Sequence, residues 1–288
     1  MKKKKKEKKI LYQLIFSAFL LFSNAYLVKA NSDILSQDST GKYCINTEQD
    51  YYNFIENIQN YNNKTVILCN DIDISDVPEA TSSFGGILNG KGHTITYASK
   101  EAKENIAVFP FRINDNGIVE NINVQIDESY AYNSETDEFQ TVFSRCDGIA
   151  KGITIKGNVT CIYDDEDTDV YIGAIEGNGT LMDSSIAITY DLQSEKTIEE
   201  IADDIVDNDL SFEFCQLGTI NTGITYQNCI GYGQYSEAIK SLADELEPKI
   251  EDDTWGYLCV SFTRKSFFST SASATNCYYD KENMPDIK

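Results

Sequence analysis

Apolar residues recur at every second position through much of this chain, in short runs separated by corners rich in glycine and asparagine. That period marks strands with one buried face. Five stretches share one shape, an apolar run, a corner and then an alternating strand: Val108–Asp127, Val142–Cys161, Ile172–Asp191, Phe214–Tyr232 and Val260–Tyr279. Aligned on Ile122, Ile153, Ile186, Cys229 and Cys277, they are spaced by 31, 33, 43 and 48 residues. Upstream, Thr65–Ile74 and Phe84–Tyr97 add two more strand–corner–strand units. No unit is long enough to bury its own apolar face, whereas stacked units bury a continuous column. The corner recurs at a nearly constant place in each unit. That favours an all-β solenoid, a parallel β-helix, over an antiparallel sandwich.

Three segments break the two-residue period. Thr197–Val206 and Glu237–Leu246 place apolar residues three and four apart, which predicts two short helical insertions, within about 192–210 and 236–250. These account for the wider spacing of the later units. Thr47-Glu48-Gln49-Asp50 has the form of a capping box, and Tyr51, Phe54, Ile55 and Ile58 then fall on one helical face. An N-terminal capping helix over about 47–60 would cover the open edge of the first coil.

Residues 1–30 read differently. Lys2 to Lys9 form a basic run broken by Glu7, Leu14–Phe22 is an apolar core, and Val28-Lys29-Ala30 places small residues at the −3 and −1 positions before Asn31. This is the layout of a secretory signal peptide, and the core is less than half the ~20 apolar residues of a membrane span. The expectation is cleavage near Ala30, leaving 31–288 as an exported β-helix domain without a membrane span.

Charge narrows the function. The chain holds 24 basic and 46 acidic residues, a net charge of −22. Without the leader it holds 16 and 45, a net −29. Such a surface repels phosphate backbones, so nucleic acid is not an expected partner, and it is ill suited to polyuronates. Eight cysteines, Cys44, Cys69, Cys146, Cys161, Cys215, Cys229, Cys259 and Cys277, suit an oxidising compartment and disulfide formation. Cys229 and Cys277 share an anchor position in the last two units. In adjacent coils a disulfide and an unbridged thiol stack both fit that spacing.

Candidate chemistry is sparse. Asp164-Asp165-Glu166-Asp167-Thr168-Asp169 holds five carboxylates in six residues, with Asp165, Asp167 and Asp169 alternating and Glu176 twelfth from Asp165. Hard oxygen ligands so spaced suit calcium. Val170, however, occupies the place where an EF-hand loop needs glycine, and a solvated acidic loop that blocks edge-to-edge association explains the run more directly than a calcium site. Asp71 and Asp73 flank Ile72 and face outward on one strand, and His93 is the sole histidine. A solvated strand face and a corner role account for them. Arg112 and Arg145 sit at similar places in successive units, where they would stack.

The run Phe84-Gly85-Gly86-Ile87-Leu88-Asn89-Gly90-Lys91-Gly92-His93-Thr94-Ile95 resembles the F-x-G-x-[LF]-[DN]-G-x-G-[HY]-x-I element of bacterial GLUG-motif surface proteins, and Asp71-Ile72-Asp73-Ile74 resembles the strand that precedes it there. Tyr171–Gly177 is similar to the glycine-framed core that names the motif, and Asn276-Cys277-Tyr278-Tyr279-Asp280 to the unit that often closes such arrays. The resemblance spans about 43–280. It implies a right-handed parallel β-helix, exported, surface-associated and adhesin-like, and it implies no catalytic residue. The expected function is therefore recognition of a host, bacterial or glycan partner, either a surface glycan or a protein ligand, without catalysis. The alternatives are a carbohydrate-active β-helix enzyme, a polysaccharide lyase or hydrolase, and a structural envelope component.

Overall fold

The computed structural model describes the chain from Leu35 onward, apart from 76, 79, 81, 99–106, 133–137, 164–169, 209, 216–222, 232–233, 247–248, 250–252, 257–258, 264–272, 276–277 and 280–288. For strand residues 128–132, 138–141, 171, 211, 213 and those from 253 onward, the backbone alone is described.

The strands, numbered in chain order, form three long sheets. The first holds β1 (Tyr43–Ile45), β2 (Thr65–Leu68), β4 (Ile87–Asn89), β7 (Ile118–Glu120), β10 (Ile149–Lys151), β13 (Thr180–Met182), β16 (Thr225–Gln227) and β21 (Ser273–Thr275), each parallel to the next. The second holds β3 (Ile72–Ile74), β5 (Thr94–Ala98), β8 (Asn123–Tyr132), β11 (Thr154–Tyr163), β14 (Ser185–Gln193), β17 (Ile230–Gly231) and β22 (Tyr278–Tyr279), with β18 (Gln234–Tyr235) also beside β14. The third holds β6 (Phe109–Ile113), β9 (Glu138–Cys146), β12 (Val170–Ile175), β15 (Ser211–Cys215), β20 (Cys259–Thr263) and β19 (Asp253–Gly256). From β6 onward the chain visits the sheets in rotation, third to first to second, and successive circuits lie parallel apart from β19 and β20. This is the expected parallel β-helix.

The register corrects one alignment. Ile118 pairs with Ile149, and Ile149 with Thr180, so both steps are 31 residues. The residue equivalent to Ile122 and Ile153 in the third unit is therefore Ser184, while Ile186 pairs with Ile155. Ser184 is buried at 3% exposure. Its hydroxyl donates to Met182 O (2.7 Å) and accepts from Ile153 N (3.1 Å), so a polar side chain occupies this apolar column with its hydrogen bonds made.

A second correction concerns the last unit. β20 runs antiparallel to β15, and β19 antiparallel to β20. Only the first- and second-sheet strands of that unit, β21 and β22, continue the parallel stack.

Corners explain how such short strands turn. After β7, β10, β13 and β16 the chain passes through a left-handed residue: Asn121 (φ 55°), Gly152 (60°), Asp183 (50°) and Asn228 (52°). Asn, Asp and Gly are the types that tolerate this region. The opposite corner, entering the first sheet, carries Gly86, Gly117, Gly148 and Gly179, 31 residues apart. There the reason is contact: a Cβ at Gly148 would stand 2.3 Å from Asn114 O and 2.4 Å from Gly117 O, and one at Gly179 would stand 2.3 Å from Gly148 O. This close approach lets Ile149 N donate to Gly117 O at 3.0 Å and Thr180 N to Gly148 O at 2.8 Å.

The capping helix α1 (Glu48–Glu56) forms as expected, with the Thr47 side chain accepting from Asp50 N. The reciprocal half of the box is altered: the Asp50 carboxylate accepts from Asn46 N at 3.0 Å. Tyr51, Phe54, Ile55 and Ile58 are all fully buried. Phe54 meets Phe84 and Phe111 edge-on at 5.4 and 5.7 Å, and Tyr51 Oη donates to Val108 O at 2.6 Å. A disulfide joins Cys44 on β1 to Cys69 just after β2.

Both helical insertions form as well. In α2 (Ile198–Asp207), Thr197 and Glu200 make a full capping box, and α3 (Glu237–Leu246) buries Ile239, Leu242, Ala243 and Leu246. The two helices pack on each other, and α3 also contacts β14 and β18. Lys249 Nζ reaches Asp203 Oδ1 at 2.9 Å. They occupy equivalent connections in successive coils and cover the flank of the column. Among the described residues, no helix is long and apolar enough to cross a membrane.

Candidate functional site

The expected calcium site is reached at one residue only. Asp165, Asp167 and Asp169 lie outside the described residues. Glu176 follows β12, where its carboxylate takes Arg145 Nη1 at 3.3 Å. Among the described residues no group of three or more His, Cys, Asp or Glu is arranged to hold a metal ion.

Glu176 instead belongs to a polar ladder along the corner between the third and first sheets. Arg112 on β6 and Arg145 on β9 stand in register, stacked as their positions suggested. Between them lies Asp147, its side chain 5% exposed, which takes Arg112 Nε at 2.5 Å and Arg145 Nε at 3.1 Å. Asn178 N also donates to Asp147 Oδ1 at 3.1 Å. Sequence reasoning missed Asp147, although its place beside the 31-residue glycine series was the available signal. The ladder is charge-balanced, two guanidinium groups against two carboxylates, and it fastens three successive coils.

Burial alone would favour the neutral form of Asp147. The hydrogen bonds from Arg145 and the Asn178 N–H, with the charges of Arg145 and Arg112, outweigh it and hold the carboxyl below its usual range. The folded value thus lies below the unfolded one. The carboxylate's contribution is present above the unfolded value of about 4 and is lost as pH falls through the folded value. Asp147→Asn is expected to lower stability at pH 7 by about 2 kcal/mol, below the ~3–5 kcal/mol of a fully buried pair because both arginines are partly exposed. The gap between wild type and variant should close as pH is taken below about 4, read by denaturant midpoints at pH 7 and pH 3. A gap that stays constant would refute this role.

The outward carboxylates of β3 behave as a strand face. Asp73 is exposed between buried Ile72 and Ile74. Asp71 accepts from Thr94 N at 2.9 Å and pairs with His93 Nδ1 at 3.0 Å. The Thr94 N–H first, and His93 second, lower the Asp71 carboxyl below its usual range. His93 therefore ties one corner to the coil before it.

The cysteines divide by environment. Cys215 is disulfide-bonded and stands opposite Cys259 in the backbone register. Cys146 is a free thiol that burial pushes up to about 12, which leaves it unreactive. Cys229 is buried, its sulfur 3.4 Å from both Leu181 O and Gln227 O. Cys277 lies outside the described residues, but Thr225 pairs with Ser273 and Ile230 with Tyr278. Those flanking pairs keep the 48-residue offset that separates Cys229 from Cys277.

β4, β7, β10 and β13 share one pattern: the middle residue, Leu88, Val119, Ala150 or Leu181, is buried, and its two neighbours are half-buried on the outer side. Registered across coils, the outer residues make two rows, Ile87–Ile118–Ile149–Thr180 and Asn89–Glu120–Lys151–Met182. Within the second row Asn89 Nδ2 donates to Glu120 Oε1 at 2.5 Å, and Lys151 Nζ meets Glu120 Oε2 at 2.8 Å. The acid lies elsewhere. Of the 46 acidic residues, 22 fall in the connections from the second sheet to the third, at 99–108, 133–137, 164–169, 194–210 and 236–252.

No family model matches the chain, and comparison with curated proteins and with solved structures finds no match.

Proposed function

We propose that the protein is an exported recognition protein that binds a glycan or protein partner at a cell or host surface without transforming it. The observation that carries this reading is the balance of charge on the outer face of the first sheet. The acid is concentrated in one set of connections, while the outer rows of the first sheet from β4 to β13 hold one acidic residue, Glu120, paired with one base, Lys151. A flat, charge-balanced face on a strongly acidic body can approach a surface that the rest of the molecule does not grip. The Cys44–Cys69 disulfide accords with an oxidising compartment, and the basic, apolar and small-residue layout of 1–30 accords with export. The likeness of Phe84–Ile95 to the GLUG-type element of bacterial surface proteins points the same way.

The test is retention of the exported protein on a panel of glycans and on bacterial and host cell surfaces, with calcium and with chelator, sizing the recovered polymer. Retention on intact polymer is expected. Shortened polymer would overturn the reading in favour of a carbohydrate-active enzyme, and no retention on any surface would overturn it in favour of a structural component. Loss with chelator would assign calcium to the acidic segment.

A further inference from the structure

We infer that the outer strip of the first sheet is the contact surface, and that its ligand is a single chain of a neutral polysaccharide lying along the solenoid axis. This rests on the recognition reading above and names the ligand class for it.

The strip has an unusual composition for a solvent face. Ile87, Ile118 and Ile149 stack in one row, although the core beneath them is already filled by the buried Leu88, Val119 and Ala150. The adjoining row, Asn89, Glu120 and Lys151, is polar and joined side chain to side chain. An apolar row therefore runs beside a hydrogen-bonding row along the axis, in one plane. A sugar chain has the same division, with apolar C–H faces on its rings and hydroxyls along its edges. Strands in a sheet repeat at about 4.8 Å, close to the length of one sugar ring, so successive coils would meet successive units.

Size selects between occupants. The strands are three residues wide, about 10 Å at ~3.3 Å per residue. The four strands β4, β7, β10 and β13, about 4.8 Å apart, span ~14 Å from first to last. The resulting ~140 Å² is well short of the roughly 800 Å² per partner of a stable protein interface. The strip is too narrow for a second copy of this chain and wide enough for one polymer chain. Charge selects the polymer. The strip is balanced while the chain carries −22, so a polyuronate would be repelled by the body and gain no compensating cation, because Lys151 is held by Glu120.

The experiment measures binding to a neutral linear glucan and to polygalacturonate of matched length. It uses wild type, Ile118→Thr/Ile149→Thr, and Gln125→Ala/Asn158→Ala on the second sheet. Thr180 already occupies the isoleucine row, so threonine suits the fold there. Wild type should retain the glucan and not the polyuronate. The threonine pair should weaken glucan binding about tenfold or more with the melting midpoint within about 2 °C of wild type, and the second-sheet pair should bind as wild type. Hydrogen exchange on wild type with bound glucan should protect 87–89, 118–120 and 149–151, which tests the strip even if a variant folds poorly. Equal glucan binding by the threonine pair, or protection confined to another sheet, would overturn the inference while leaving the recognition reading intact. Binding to cell surfaces but not to glucan would do the same. A dimer abolished by the threonine pair would show that the strip serves a second copy instead.

Discussion

Replacing Gly148 with alanine is expected to lower the unfolding free energy by about 3 kcal/mol or more, the upper range for overpacking, a fall in melting midpoint of roughly 6–12 °C for a chain of this size. The added carbon would meet two carbonyl oxygens, those of Asn114 and Gly117, at 2.3 and 2.4 Å, with Ile113 Cγ2 at 3.0 Å. Backbone cannot swing aside as a flexible side chain can. Relief requires parting two coils, which lengthens the Ile149 N to Gly117 O hydrogen bond and disturbs the stack on both sides. Gly92 is the control. It has φ +82° and nothing within 4 Å of an added Cβ, so alanine there meets backbone strain alone, about 1 kcal/mol. Thermal and denaturant unfolding of both variants decides the matter, and equal losses would show that conformation, not contact, selects glycine in this series.

Removing the Cys44–Cys69 bridge, by Cys44→Ser with Cys69→Ser, is expected to cost about 3 kcal/mol, as for a closed loop of this length. The bridge links residues 25 apart with Cα atoms at 5.9 Å, and the loop between them contains the whole of α1. The loss should therefore be uneven. Amides of Tyr51 to Ile58 should exchange faster than those of β7 and β10, because the helix is tied to the first coil by that bridge and by the burial of Tyr51, Phe54 and Ile55. Uniform acceleration across the solenoid would show that the first coil and its cap do not open independently.

The parts of this fold that could be read from the chain are those written in side-chain period. Tyr51, Phe54, Ile55 and Ile58 share a helical face and lie buried together, and Ile72 and Ile74 alternate with exposed Asp73 as their spacing requires. Misreadings occurred where the same period admits two answers. Ile186-Ala187-Ile188 mimics Ile153-Thr154-Ile155, and only the pairing of Ser185 with Thr154 shows the two-residue slip. Alternation in Val260–Phe262 carries no strand direction, so it could not reveal that β20 runs against β15. Asp147 was missed for another reason: its place beside Gly148 marks the corner, but its partners are arginines 35 residues before it and two before it, brought together only by the coil.

The antiparallel pair β19 and β20 bounds the third sheet. A parallel column ends in an edge that accepts another coil of the same kind, whereas a reversed pair on one of its faces offers the wrong polarity for that addition. The other end is closed by α1. Between Gly86 and Gly179 the glycine that enters the first sheet recurs every 31 residues, so the whole coil is the unit of this column: adding or removing one 31-residue block would shift one end by about 4.8 Å and leave the internal structure of both ends unchanged.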